Sequence, residues 1–238
     1  MKLSFSNDRL LAVMAHPDDA ELLCAGTLAR AKADGAAIAI AVMCKGDKGI
    51  SSTTSSPADM ARVRQEEAAA AAEVLGAKLF WFGGEDGALF DTYDNRRRLI
   101  EMYRQFRPTL VLAHAIEDYH PDHRAASEIA EAASWLCASR GHVTDSPALE
   151  GPPVVWFADT LDMSGFEPQI FVNISDLVAI KERMLTLHRS QLSRGGDQDF
   201  APLADLMLRQ CRARGAQAGV AAAEAFRPHK AFKRIGAW

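Results

Sequence analysis

The 238-residue sequence predicts an α/β fold, a mostly parallel sheet flanked by helices on both faces. Three observations carry that expectation. Short continuous apolar runs recur at Leu10–Ala15, Ala37–Cys44 and Thr109–Ala113, the pattern of strands buried on both faces. Stretches of helical periodicity separate them, so strands and helices alternate. Finally, 48% of the residues are hydrophobic, enough to fill one large core.

Leu10–Ala15 opens the sheet. Ala20–Asp34 follows as a helix with apolar Leu22, Leu23, Leu28 and Ala29, and Gly35 stops it. Ala37–Cys44, rich in Ile and Val, completes a βαβ beginning, for which a right-handed parallel crossover is expected. Lys45–Ser56 is a loop with a Ser/Thr cluster, read either as plain flexible surface or as a mobile lid supplying hydroxyls to a polar substrate. A long Ala-rich helix from Pro57 or Ala58 to Leu75 is closed by Gly76. Lys78–Phe82 is the third strand, Gly83–Asp94 a loop, and Asn95–Phe106 a helix ended by Arg107-Pro108. Its Arg96-Arg97-Arg98 run reads as a solvated face. Thr109–Ala113 is the fourth strand, and the loop from His114 to Pro121 leads into the helix Asp122–Ser139. Val154–Ala158 and Gln169–Ile174 are further strands, Asp176–Gln191 and Leu203–Ala213 helices, and Ser193–Phe200 a polar loop. The tail from Phe226 carries mixed charges. No linker, repeat or low-complexity tract divides the chain, so residues 1–238 are expected to form a single domain.

Several function classes are disfavoured at once. A formal net charge of −4 gives no general attraction to nucleic acid or to an anionic membrane. Four widely spaced cysteines, Cys24, Cys44, Cys137 and Cys211, form no CxxC pair and read as reduced core residues. The first ten residues lack a signal-peptide h-region, and no apolar run reaches about 18 residues. A cytoplasmic location is expected.

The chemistry concentrates in two segments, each following an expected strand. One is His16-Pro17-Asp18-Asp19, the other His120-Pro121-Asp122-His123. Helix capping would account for Asp18 with Glu21, or for Asp122, but not for three histidines and Asp19. In an open α/β sheet both turns lie on the edge where ligands bind. A catalytic zinc site takes three His or carboxylate ligands and leaves a position for water. His16, Asp18, Asp19, His120, Asp122 and His123 supply enough donors for a metal, a general base and supporting groups. Spacing alone does not assign them. A nucleotide-binding turn would show Gly-x-Gly-x-x-Gly where this chain has His-Pro-Asp-Asp.

These residues resemble the signature pair of the PIG-L/LmbE-type zinc-dependent N-deacetylases, whose sheet is Rossmann-like. Weaker similarities extend from about Leu10 to Phe226: Gly26-Thr27-Leu28-Ala29, Gly46-Asp47-Lys48-Gly49, Arg64 with Glu67-Ala68, Leu75-Gly76, His188 with Ser190-Gln191, and Ala223-Glu224-Ala225-Phe226. The resemblance implies that His16, Asp19 and His123 are metal ligands, for zinc or for iron(II) in its place. Asp18 then corresponds to the general base. His120 corresponds to the group that stabilises the oxyanion as an imidazolium, and Asp122 to the group that orients His120 and raises its pKa. Arg64 corresponds to a substrate-binding position. The implied substrate is a small N-acetylated amino sugar resembling N-acetylglucosamine, or its conjugate, and a homo-oligomer is compatible with the family. A metal-binding protein without turnover, or a hydrolase of another amide or ester, would use the same residues. Two departures stand out. Asp118 occupies a position where some members carry tyrosine, with the adjacent Tyr119 expected to point elsewhere, and Ala222 stands where tyrosine is common.

Overall fold

In the computed structural model, which describes residues 4–50, 56–192 and 202–230, the apolar runs form strands β1 (Arg9–Met14), β2 (Ala37–Cys44), β3 (Lys78–Gly84), β4 (Leu110–Ala113) and β5 (Val154–Ala158). With β6 (Ile170–Asn173) and β7 (Ala223–Pro228) they make one seven-stranded sheet, ordered β3-β2-β1-β4-β5-β7-β6. The pairs among β1 to β5 are parallel, whereas β7 runs antiparallel to both β5 and β6. Alternation along β1 divides the core. Leu10, Ala12 and Met14 pack on one side of the sheet, and Leu11, Val13 and Ala15 on the other.

Helices α1 (Asp19–Leu23), α2 (Ala25–Ala33), α3 (Pro57–Leu75), α4 (Tyr93–Phe106), α5 (Pro121–Leu136), α6 (Val178–Leu185), α7 (Arg189–Leu192) and α8 (Leu203–Ala218) cover the two faces. Among the described residues, none is long and apolar enough to cross a membrane.

Three elements differ from the sequence reading. The helix expected over Ala20–Asp34 breaks at Cys24. The buried carboxylate of Glu224 accepts from the amides of Gly26 and Thr27 at 2.9 and 2.6 Å, capping a new helix start. Lys181, fully buried, donates to Glu224 and to the carbonyl of Leu22 at 2.8 Å. Strand β7 was not expected, because Ala-Glu-Ala-Phe has little strand propensity until Glu224 finds these partners. The helix expected over Asp176–Gln191 divides into α6 and α7, separated by a turn that buries His188.

This topology places the site. From β1 the chain builds outward through β2 and β3, then returns to place β4 on the other flank of β1. The order therefore reverses between β1 and β4, and a crevice opens beyond their carboxyl ends. The two His-Pro-Asp turns follow β1 and β4, so they meet there.

Candidate metal centre and active site

Three donor atoms converge in that crevice. His16 Nδ1 lies 3.3 Å from His123 Nε2, and Asp19 Oδ2 lies 3.5 Å from each. Metal bonds of about 2.0–2.2 Å at tetrahedral angles set donor separations of roughly 3.3–3.5 Å. The second nitrogen of each histidine is committed to a carboxylate. His16 Nε2 donates to Asp122 Oδ2 at 3.0 Å, and His123 Nδ1 donates to Asp118 Oδ1 at 3.0 Å. Each bond fixes the tautomer that leaves the lone pair facing the cluster. The donor set therefore fits a divalent cation such as zinc.

Electrostatics agree. Burial opposes charge on His16, yet hydrogen bonds to Asp122 and Asp19 raise its pKa to about 10. Burial also pushes the carboxyl of Asp19 upward, but the neighbouring His123 and the bond to His16 outweigh it and hold that pKa well below the usual range. The crevice favours positive charge where the three donors meet.

Asp18 sits at the N-cap of α1 with φ at 112°, a left-handed conformation that costs a non-glycine residue about 1–3 kcal/mol. Its carboxylate caps no amide, so the capping account fails for this residue. Instead it lines the pocket and accepts from Arg64 at 3.1 Å. Burial raises its pKa to about 6 against the pull of Arg64. A bound cation would draw that value down. Arg64 is not an exposed arginine on an Ala-rich helix. It is 4% exposed, lines the same pocket, and also donates to the carbonyl of Pro17.

The expected partnership of Asp122 with His120 takes another form. The carboxylate of Asp122 binds His16 and accepts the amides of Gly87 (2.7 Å) and Leu89 (3.3 Å), which pins the loop after β3. It is the backbone amide of Asp122 that donates to His120 Nδ1, at 3.1 Å, making His120 the N-cap of α5. Burial and the nearby His16 and His123 lower the pKa of His120 despite Asp122. With Nδ1 accepting that amide, the ring can present an N–H to the pocket at Nε2.

Sequence reasoning missed the role of Asp118. Besides His123, its Oδ1 accepts the amide of His120 at 3.0 Å, so one buried carboxylate holds both histidines of the second turn. The available signal was a carboxylate five residues before a ligand-type histidine, across a turn into a helix. Tyr119 also departs from expectation: it lines the pocket, with its ring centroid 5.9 Å from that of His120 and 5.7 Å from that of His123. His114, buried and held neutral with its pKa lowered to about 4 by burial and by His123, accepts the amide of Ala15 and stacks on His123 at 4.0 Å. Its 3.2 Å approach to Asp19 is therefore not an ion pair. Ala222 is buried against Gly215 rather than in the pocket wall. Of the loops read as substrate-facing, residues 51–55 and Ser193–Phe200 lie outside the described residues.

A family model described as PIG-L, GlcNAc-PI de-N-acetylase, matches residues 11–134. The chain is 29% identical over 174 residues to a 4-oxalmesaconate hydratase of Pseudomonas putida, covering 70% of this chain and 67% of that protein. It is 29% identical over 194 residues to the diacetylchitobiose deacetylase of Thermococcus kodakarensis, covering 77% and 70% respectively. Among solved structures, a conserved protein from Thermus thermophilus superimposes with a TM-score of 0.80 at 31% identity, covering 97% of each chain.

Proposed function

This chain belongs to the PIG-L family, and from that premise we propose that it is a metal-dependent N-deacetylase. Its substrate is an N-acetylglucosamine-like amino sugar or a conjugate of one, its products acetate and the free amine, and residues 1–238 act as one catalytic unit. The observation that carries this reading is the convergence of His16 Nδ1, Asp19 Oδ2 and His123 Nε2 within 3.3–3.5 Å of one another, beside Asp18 and His120 in one pocket.

His16, Asp19 and His123 would hold the ion, zinc or iron(II). Zinc bound there supplies Lewis acidity, which lowers the pKa of a water to about 7 and polarises the acetamide carbonyl. The remaining work belongs to the side chains. Asp18, whose carboxylate lines the pocket, takes the proton from the attacking water. Arg64 holds that carboxylate in place. His120 donates its Nε2 proton as a hydrogen bond to the carbonyl oxygen as charge develops there. When the C–N bond breaks, the proton held by Asp18 passes to the leaving amine, so base and acid are one residue.

A second reading, hydration of a carbon–carbon double bond, is favoured by the similarity to the Pseudomonas hydratase. Against it, the described pocket wall has no cationic side chain that is not already paired with a carboxylate. It carries Asp18, Asp19 and Asp118, and its one arginine is already bound to Asp18.

Acetate release from a panel of N-acetylglucosamine derivatives tests the proposal, using metal-stripped protein reconstituted with zinc or iron(II). Metal-dependent acetate is the expected result. Silence across the panel from protein carrying one metal per chain, with water addition to an unsaturated carboxylate, would transfer the assignment to the hydratase reading.

A further inference from the structure

Tyr119 lines the rim of the candidate site and is 66% exposed, so its ring is open to whatever enters. It is not a loose surface residue. Arg124 donates to its carbonyl at 2.9 Å and to that of Asp118 at 2.7 Å, while Asp118 grips the next residue, His120. The backbone under Tyr119 is therefore fixed from both sides, and its ring stands edge-to-face against His120 and His123.

Among the described residues the pocket beneath measures about 160 Å³, with Leu22, Leu23, Leu161 and Leu203 as its non-polar wall. Pockets that enclose a whole drug-sized ligand measure roughly 300–1,000 Å³. A volume this size takes the acetamido end of a substrate and leaves the rest of the molecule at the mouth, where Tyr119 stands. The axial C–H groups of a pyranose make one apolar face, which an aromatic ring covers without demanding hydrogen bonds.

Resting on the deacetylase reading, we infer that Tyr119 is the platform for the apolar face of the amino-sugar ring. It is a specificity-determining residue that holds the ring while the acetamide enters the crevice. It takes no part in proton transfer.

The test compares the zinc-loaded wild type with Tyr119→Ala, Tyr119→Phe and Tyr119→Trp on methyl β-N-acetylglucosaminide. Zinc content and urea midpoint confirm that each variant is folded and loaded. Acetate release gives kcat and KM, and saturation-transfer NMR reads which sugar protons touch the protein. Loss of the aromatic face in Tyr119→Ala is expected to raise KM about tenfold. The loss lies in KM rather than kcat, Tyr119→Phe and Tyr119→Trp keep a KM close to wild type, and saturation of the axial protons disappears only in the alanine variant. A wild-type KM in Tyr119→Ala overturns the platform alone. A fall in kcat shared by Tyr119→Phe also overturns it, because the hydroxyl would then act in the chemistry. A zinc-loaded wild type that neither cleaves nor binds the glycoside overturns the platform together with the deacetylase reading.

Discussion

Replacing Asp118 tests whether His123 is held as a ligand. Its carboxylate accepts Nδ1–H of His123 at 3.0 Å in a site where Asp118 is 4% exposed, so little water can replace the lost oxygen. Removing such a partner typically costs 10–100-fold in metal affinity, about 1.4–2.7 kcal/mol. His114 still stacks on the His123 ring at 4.0 Å and 15°, which restrains its orientation. Asp118→Ala should therefore fall near the lower end, about tenfold to thirtyfold weaker for zinc. Asp118→Asn keeps an acceptor oxygen for both His123 and the His120 amide but loses the charge. Charged acceptors bind roughly twice as strongly as neutral ones, so about threefold to fivefold is expected. The assay is competition for zinc between metal-stripped protein and a chromophoric chelator, with the urea midpoint as a check on folding. Zinc affinity unchanged in a folded Asp118→Ala chain would refute the reasoning, as would Asp118→Asn binding more weakly than Asp118→Ala.

Asp18→Ala should retain its zinc and lose about 10²–10⁴ in kcat, whereas His16→Ala and His123→Ala should lose the metal as well. Near-normal turnover of Asp18→Ala at saturating zinc would remove Asp18 from the role of base. Lys181→Met leaves Glu224 buried with only two amide donors, and breaking a buried pair costs about 3–5 kcal/mol by urea unfolding. Adding Glu224→Gln to that variant should recover part of the loss; no recovery would mean that packing, not charge, was lost. Glu101 bears on acid stability. Burial pushes its carboxyl up, but hydrogen bonds from the hydroxyl and amide of Ser146 and from Gln105 prevail and set its pKa at about 2. A depressed pKa stabilises the fold above the unfolded value of about 4.3, and that contribution is lost as pH falls toward 2. The stability advantage of wild type over Glu101→Gln should thus be full at pH 6 and vanish near pH 2. An advantage that persists there would contradict the assignment.

What could be read from sequence was set by range. Strands β1, β2 and β4 were legible because burial on both faces writes a continuous apolar run. The two His-Pro-Asp turns were legible because each is contiguous. The break at Cys24 and the strand β7 were not, since both depend on Glu224 reaching Gly26, Thr27 and Lys181 from distant parts of the chain. Partner choice within the site was hidden for the same reason. Asp122 lies two residues from His120, yet its carboxylate serves His16, brought alongside only by the pairing of β1 with β4. The scattered similarities gain a physical meaning as contacts. Gly26-Thr27 meets Glu224, and Glu67 accepts the amide and hydroxyl of Ser190 at 2.8 and 2.7 Å. Glu21 faces buried His188 at 3.4 Å.

Asp18 shows why that wider scaffold matters to the chemistry. A carboxylate at an N-cap normally caps, and giving up that bond costs about 1 kcal/mol. Here the residue forgoes it and also adopts a φ of 112°. Both losses turn its side chain into the pocket, where Arg64 receives it. Arg64 in turn fits only because Gly46, with φ at 71°, has no Cβ; one added there would collide with the arginine side chain. Three separate segments thus hold one carboxylate in a conformation that the local sequence disfavours. A purely structural aspartate would relax into its cap. Asp18→Asn, which keeps an oxygen for Arg64 and tolerates the left-handed backbone, is accordingly expected to leave the urea midpoint close to wild type while lowering kcat for acetate release about 10²–10⁴-fold. Turnover close to wild type in a folded, zinc-loaded Asp18→Asn chain would mean that the strained carboxylate is not kept for the reaction.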